Sequence, residues 1–187
     1  MFYSFFIFSF LSCGEAEQEV TETTKAPAEK GFSYADSTRH SLQQLLQAYY
    51  SLKDALVAAD SVNAAAASLI LGTTLDSLNL SSVQQKDTAL YAEVASSPAI
   101  IKTAALNLNK APGLEAQREI FETISDNVYE LIKNLKPAGI ETYHQYCPMA
   151  FNDKGAHWLS DTTQIRNPYF GKKMLTCGEV QEELRYQ

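Results

Sequence analysis

Across residues 42–135 apolar side chains recur at every third or fourth position, and that spacing confines the chain to amphipathic helices packed on one another. Leu42, Leu45, Leu46, Tyr49, Leu52 and Leu56 follow the i, i+3, i+4, i+7 progression and line one face of a first helix. Asp36 or Ser37 stands where its N-cap belongs. Asp60-Ser61 interrupts the run, and Val62, Ala65, Ala66, Leu69, Ile70 and Thr73 then begin a second face. The alanines at 64–67 favour helix and let a neighbouring helix come close. Residues 79–82 form a connection, and Ser82-x-x-Gln85 has the form of a capping box for a third helix with Leu90, Tyr91 and Val94. Pro98 is expected to kink or break that helix, with Ile100, Ile101, Ala104 and Leu108 continuing beyond it. Ala111-Pro112-Gly113 reads as a turn, and a fourth helix carries Phe121, Ile124, Val128, Leu131 and Leu135 before Pro137 stops it. The expected fold class is mainly α: an up-and-down four-helix bundle over residues 36–139, with a loop-rich C-terminal Cys/Met lobe over residues 140–187.

With 187 residues the chain holds one domain plus an appended module, and is too short for a TIM barrel or a two-domain Rossmann enzyme. A net charge of −7 leaves no basic footprint for nucleic acid. The helical region has none of the paired Glu-x-x-His sets of di-iron bundles, and its single histidine, His40, reads as an exposed residue beside Arg39. No nucleophile–base pair or phosphate-binding loop points to catalytic turnover, so an enzyme is not expected.

The N-terminus reads as a targeting segment. Residues 2–12, FYSFFIFSFLS, are mostly apolar and uncharged, too short to span a bilayer as a helix but of the length of a signal-peptide core. They run into Leu11-Ser12-Cys13-Gly14, a small residue followed by cysteine, which resembles a bacterial lipoprotein signal: residues 1–12 are removed and Cys13 is lipidated. The n-region lacks Lys and Arg, and Phe10 stands where leucine is usual. Residues 15–30 hold five Glu and one aliphatic side chain, so residues 13–35 read as the anchor and a solvated tether. The expected location is the periplasm, with the protein held to the membrane through Cys13.

Chemistry-bearing side chains gather in the tail. Residues 140–187 contain two of the three cysteines, two of the three histidines, the only tryptophan, seven aromatics, and both methionines other than the initiator. Cys147-Pro148-Met149 puts two sulfurs two residues apart on a stiff turn, and Met174-x-x-Cys177 puts two more within one turn. Thiolate and thioether donors favour Cu(I), and imidazole tolerates copper, so His144 and His157 join the candidate ligands Cys147, Met149, Met174 and Cys177. Zinc gains little from methionine and no C-x-x-C knuckle exists. A blue-copper site needs two histidines and one cysteine gathered in one loop. In an oxidising compartment Cys147 and Cys177 could equally form a disulfide, with Met149 and Met174 as core fillers, so from the residues alone both readings stand.

The tail, with CPMA from Cys147, Gly155-Ala156 before Trp158-Leu159-Ser160, Asn167-Pro168-Tyr169 with Gly171, and Met174-Leu175 before Cys177-Gly178, closely resembles the signature of a domain-of-unknown-function family. YSLKDALV from Tyr50 and QREIFETIS from Gln117 resemble its helical part, and the likeness covers roughly residues 36–181. Members of that family occur as small periplasmic or lipid-anchored proteins of Gram-negative bacteria, and the domain is also fused to adaptor subunits of heavy-metal efflux pumps. The resemblance implies a helical bundle with a Cys/Met lobe and a role in copper or related heavy-metal handling. The implied partners are a membrane, through the anchor, and an efflux adaptor or copper chaperone. Cys147, Met149, Met174 and Cys177 carry over as ligands; His144 and His157 carry over less firmly.

Overall fold

The computed structural model describes Met1 and residues 27–187. The expected signal segment, Cys13 and most of the expected tether lie outside the described residues. The chain is mainly helical and ends in a small three-stranded antiparallel sheet. In order, the helices are α1 (Asp36–Val57), α2 (Ser61–Asp76), α3 (Ser81–Lys86), α4 (Thr88–Val94), α5 (Ser97–Lys110) and α6 (Leu114–Leu135). The strands are β1 (Glu141–Cys147), β2 (Ala156–Ser160) and β3 (Glu179–Arg185), in spatial order β2-β1-β3. α1 packs on α2, α2 on α5 and α5 on α6. Among the described residues no helix is long and apolar enough to cross a membrane.

In α1 and α6 the apolar periodicity maps onto burial, whereas in α2 the expected face is turned to solvent: Val62, Ala66, Leu69, Ile70 and Thr73 are exposed, and the small residues Ala64, Ala67, Ser68 and Gly72 pack inward with Leu71 and Leu75, because they let neighbouring helices come close. Leu42, Leu45, Tyr49, Leu52 and Leu56 of α1 and Phe121, Ile124, Val128, Leu131 and Leu135 of α6 are fully buried in one continuous core. Several ends differ from expectation. The N-cap of α1 is Ala35, with Asp36 already helical and paired with Arg39. Ser82 caps nothing: its hydroxyl donates to Thr38 Oγ1 and accepts from the Ala35 amide, because it sits buried against the start of α1. The cap in this stretch is Asp87, which accepts from the Leu90 amide and splits the expected third helix. Pro98 marks the break that was expected: α4 ends at Val94, and Pro98 stands in the first turn of α5, which requires no amide donor. Asp60 does more than interrupt: its carboxylate accepts from the Asn63 amide and starts α2.

The folded body begins ahead of Asp36. Glu29 and Gly31 amides donate to the carbonyls of Arg185 and Gln187, and Phe32 exchanges backbone hydrogen bonds with residues 136–138. Tyr34 is buried and donates its phenol proton to the Leu135 carbonyl. An acidic stretch that cannot fold alone is thus held at its end by the open edge of the C-terminal strand.

Large rings mark the junction between helices and sheet. Tyr49 of α1 stacks on Phe121 of α6 at 5.4 Å and hydrogen-bonds Ser125. Its hydroxyl also accepts the Leu159 amide of β2 at 3.0 Å, and Tyr50 donates to Thr142 of β1 at 2.8 Å. Lys53, 1% exposed, turns its ammonium to Asp54 and to Asp161 just after β2, at 3.1 and 3.5 Å. One face of α1 therefore both closes the helical core and receives the sheet.

Candidate functional site

Strand β1 organises the lobe. Along a strand, side chains alternate between faces, and residues paired across an antiparallel ladder share a face. Gln145 pairs with Trp158 and Cys147 with Ala156 on one face, while Tyr146 pairs with His157 and His144 with Leu159 on the other. β1 carries the burial pattern of a strand covered on both sides, so the sequence lacks the alternation that announces a half-buried strand. The loop-rich lobe, expected to hold short strands or turns, thus joins its three strands into one hydrogen-bonded sheet.

On the first face, residues 161–178 fold back over the sheet. The Gln145 amide donates to the Thr162 carbonyl at 2.8 Å, and Trp158 meets Tyr169 edge-on at 6.0 Å. At the end of this segment Cys177 reaches Cys147, with the sulfurs 3.3 Å apart and both thiols free. Cys147 is fully buried and Cys177 half-buried. The thiol hydrogen bond raises the Cys177 pKa, and burial and the neighbouring sulfur push the same way. Cys177 is thus held towards its protonated thiol form.

The methionines lie near this pair along the chain, Met149 two residues after Cys147 and Met174 three before Cys177. Met149 follows β1 in an exposed turn, 44% accessible. That turn continues through Phe151, Asn152 and Asp153, all left-handed, and closes at Gly155, where any side chain would collide with the Tyr146 ring. Met174 is half-buried and opens the turn that Cys177 closes, the Cys177 amide donating to its carbonyl at 3.1 Å.

The histidines stand elsewhere. His144 lies between the Tyr129 ring of α6 at 3.7 Å and the His157 ring at 4.6 Å, nearly parallel to both, and Tyr146 covers His157. His157 Nε2 bonds Gln181, and Tyr129 donates to Glu182, which also pairs with Lys133. The six expected ligands therefore do not converge: the strand pleat puts both imidazoles on the face opposite Cys147 and commits them to a ring stack. Among the described residues, no group of three or more His, Cys, Asp or Glu side chains is placed to hold a metal ion.

The stack has a pH signature. Burial, and then His157 beside it, push His144 down to about 4 from its ordinary 6.5. The unfolded chain binds that proton from about pH 6.5 downward, and the folded protein only near 4. Stability attributable to His144 is thus intact above pH 6.5 and falls as the pH drops from 6.5 towards 4. His144→Phe keeps a ring in the stack and removes the titration. Its urea midpoint is expected to fall less between pH 7 and 4.5 than that of the natural chain; parallel curves would assign the acid loss to other groups.

Arg118 and Asn167 stand in motifs that carry the family resemblance, and the structure gives them a role beneath the loop that ends at Cys177. Arg118 of α6 is buried and donates through Nε to the Pro168 carbonyl at 2.9 Å, with a longer contact to the Leu56 carbonyl at 3.4 Å. Asn167 is fully buried at the start of the turn that Arg118 holds. The Asn-Pro pair was the available signal, since it marks a turn whose first side chain bonds the backbone beyond it.

A family model described as "Protein of unknown function (DUF3347)" matches residues 45–139, just over half of the chain. The match runs from within α1 to the residue before Ile140, so the sulfur-bearing lobe lies outside it. No curated protein and no solved structure matches the chain.

Proposed function

This chain belongs to the DUF3347 family of proteins of unknown function, and on that premise we propose that it binds a soft cation, Cu(I) foremost, through Cys147 and Cys177. One observation carries the reading: two free cysteines thirty positions apart are brought sulfur to sulfur at 3.3 Å by a sheet and a returning segment. Two thiolates form a minimal soft site, and flanking thioethers discriminate against harder ions. The half-buried Cys177 and the exposed Met149 give a cation a route in, and the buried Cys147 excludes water behind it. Binding releases thiol protons, and transfer proceeds by ligand exchange, a partner's sulfurs displacing Met149 and Cys177 before Cys147.

The wider reading is a lipoprotein anchored through Cys13 in the periplasm, which buffers Cu(I) or passes it to an efflux adaptor or chaperone and catalyses no reaction. Helices α1, α2, α5 and α6 act in it as an up-and-down four-helix scaffold for the lobe. The test is Cu(I) retention by the reduced protein, held anaerobically against a weak chelator. The natural chain is expected to keep about one ion. Met149→Ala and Met174→Ala are each expected to weaken binding several-fold, up to about 10-fold, without changing the helical signal. Unchanged affinity in both would reduce the thioethers to packing, and no retention by the natural chain would end the copper reading.

A second reading rests on the complete burial of Cys147 beside its partner: the pair is a disulfide staple closing the lobe of an interaction module. A free-thiol count on the protein as isolated separates the two.

A further inference from the structure

Asn167 ties the returning segment to the second cysteine. Its side-chain amide donates to the Cys177 carbonyl at 2.8 Å, while its Oδ1 accepts the amides of Tyr169 and Phe170 at 2.8 and 3.2 Å. Its own amide donates to the Leu175 carbonyl at 2.8 Å, and its carbonyl accepts the Gly171 amide at 2.9 Å. One buried side chain therefore closes the loop from 167 to 177 at both ends. Beyond Cys177, Gly178 has φ +136°, and a Cβ there would lie 2.6 Å from the Tyr146 carbonyl and 3.0 Å from the Trp158 ring. The backbone after Cys177 is thus pressed against the residue that precedes Cys147. Arg118 fixes the same loop to α6 from the other side.

We propose that Asn167 is a positioning residue for the Cys147–Cys177 pair, and that its Nδ2–H···O=C bond to Cys177 sets the effective concentration of one thiol against the other. The inference rests on these two thiols being the working site, whether or not copper is their cargo. A buried amide bonded on both of its polar atoms has lost its rotamer freedom, so it transmits a fixed distance from the turn to the Cys177 backbone. The 167–177 loop left open at that point would let Cys177 sample positions away from β1, and each such position dilutes the encounter with Cys147.

The test uses the thiol–disulfide equilibrium with glutathione on the full-length chain carrying Cys13→Ser, whose remaining cysteines are Cys147 and Cys177. The two protein thiols pass two hydrogens to glutathione disulfide. One S–S bond forms between Cys147 and Cys177, the S–S bond of glutathione disulfide breaks, and two glutathione thiols result. Asn167→Asp keeps an oxygen for the Tyr169 and Phe170 amides but replaces the donor facing the Cys177 carbonyl with an acceptor. The equilibrium constant for closing the pair is expected to fall at least about 10-fold in this variant, with the helical signal and cooperative unfolding retained. Leu71→Ala, a core deletion in α2 away from the lobe, should destabilise the protein and leave that constant unchanged. An unchanged constant in Asn167→Asp, or an equal fall in Leu71→Ala, would overturn the assignment. If Asn167→Asp does not fold, Asn167→Ser takes its place: it keeps an oxygen near the Tyr169 amide and is too short to reach the Cys177 carbonyl, with the same expected fall and the same overturning result. The readout needs no metal, so failure of Cu(I) retention in the natural chain would leave its outcome standing.

Discussion

Arg118→Ala is expected to destabilise the protein by about 3 kcal/mol in urea unfolding, the larger part arising from the C-terminal lobe. The ion pair with Glu115 contributes little to this, because Glu115 is largely exposed. The weight falls on the buried guanidinium, whose Nε donates to the Pro168 carbonyl and whose Nη2 sits between the end of α1 and the turn at Gly171. Truncation leaves the Pro168 carbonyl without its charged donor and opens a cavity beneath the loop that carries Cys177. Arg118→Met, of similar volume, should recover the packing share and not the hydrogen-bond share. A loss below about 1 kcal/mol in Arg118→Ala would show that the loop is held without the arginine.

Cys177→Ser and Cys147→Ala are each expected to abolish Cu(I) retention against the chelator while leaving the melting temperature in reductant close to that of the natural chain. One remaining thiolate is too few for a soft site. In the natural chain the affinity should rise with pH through the neutral range, because protonated thiols compete with the ion and Cys177 titrates above its ordinary value. The staple reading predicts something different and large. A disulfide across thirty positions stabilises by about 4 kcal/mol through the unfolded chain, roughly 10 °C of melting temperature for a chain of this size. Reductant alone would then lower the melting temperature of the natural chain to that of either variant. Strong copper retention with no reductant effect supports the metal site; the reverse pattern supports the staple.

Much of the helical body was legible because a helix buried on one face writes its period into the chain. α1 and α6 follow from Leu42–Leu45–Tyr49–Leu52–Leu56 and from Phe121–Ile124–Val128–Leu131–Leu135 almost residue by residue. Between α2 and α5 the reading degraded. Ser82 has the local form of a cap and instead serves a contact with Thr38, 44 positions away. The candidate site was legible as a list of sulfurs and imidazoles, and not as an arrangement. Distance along the chain says nothing about strand faces, and one step of register separates Tyr146 and His157 from Cys147 and Ala156.

The sequence by itself determined the mainly helical body, the net charge of −7, and the concentration of soft donors in the last quarter of the chain. Tertiary structure alone decided that EVQEELR, a string of good helix formers, becomes the edge strand β3, since β1 offers it a ladder of backbone partners. It also decided that both histidines enter a ring stack on α6, and that Cys147 and Cys177 meet. Those outcomes depend on pairing between segments far apart in the chain. Their free energy resides in contacts that no local pattern encodes, whereas a helix satisfies its own backbone and needs only one apolar face to declare itself.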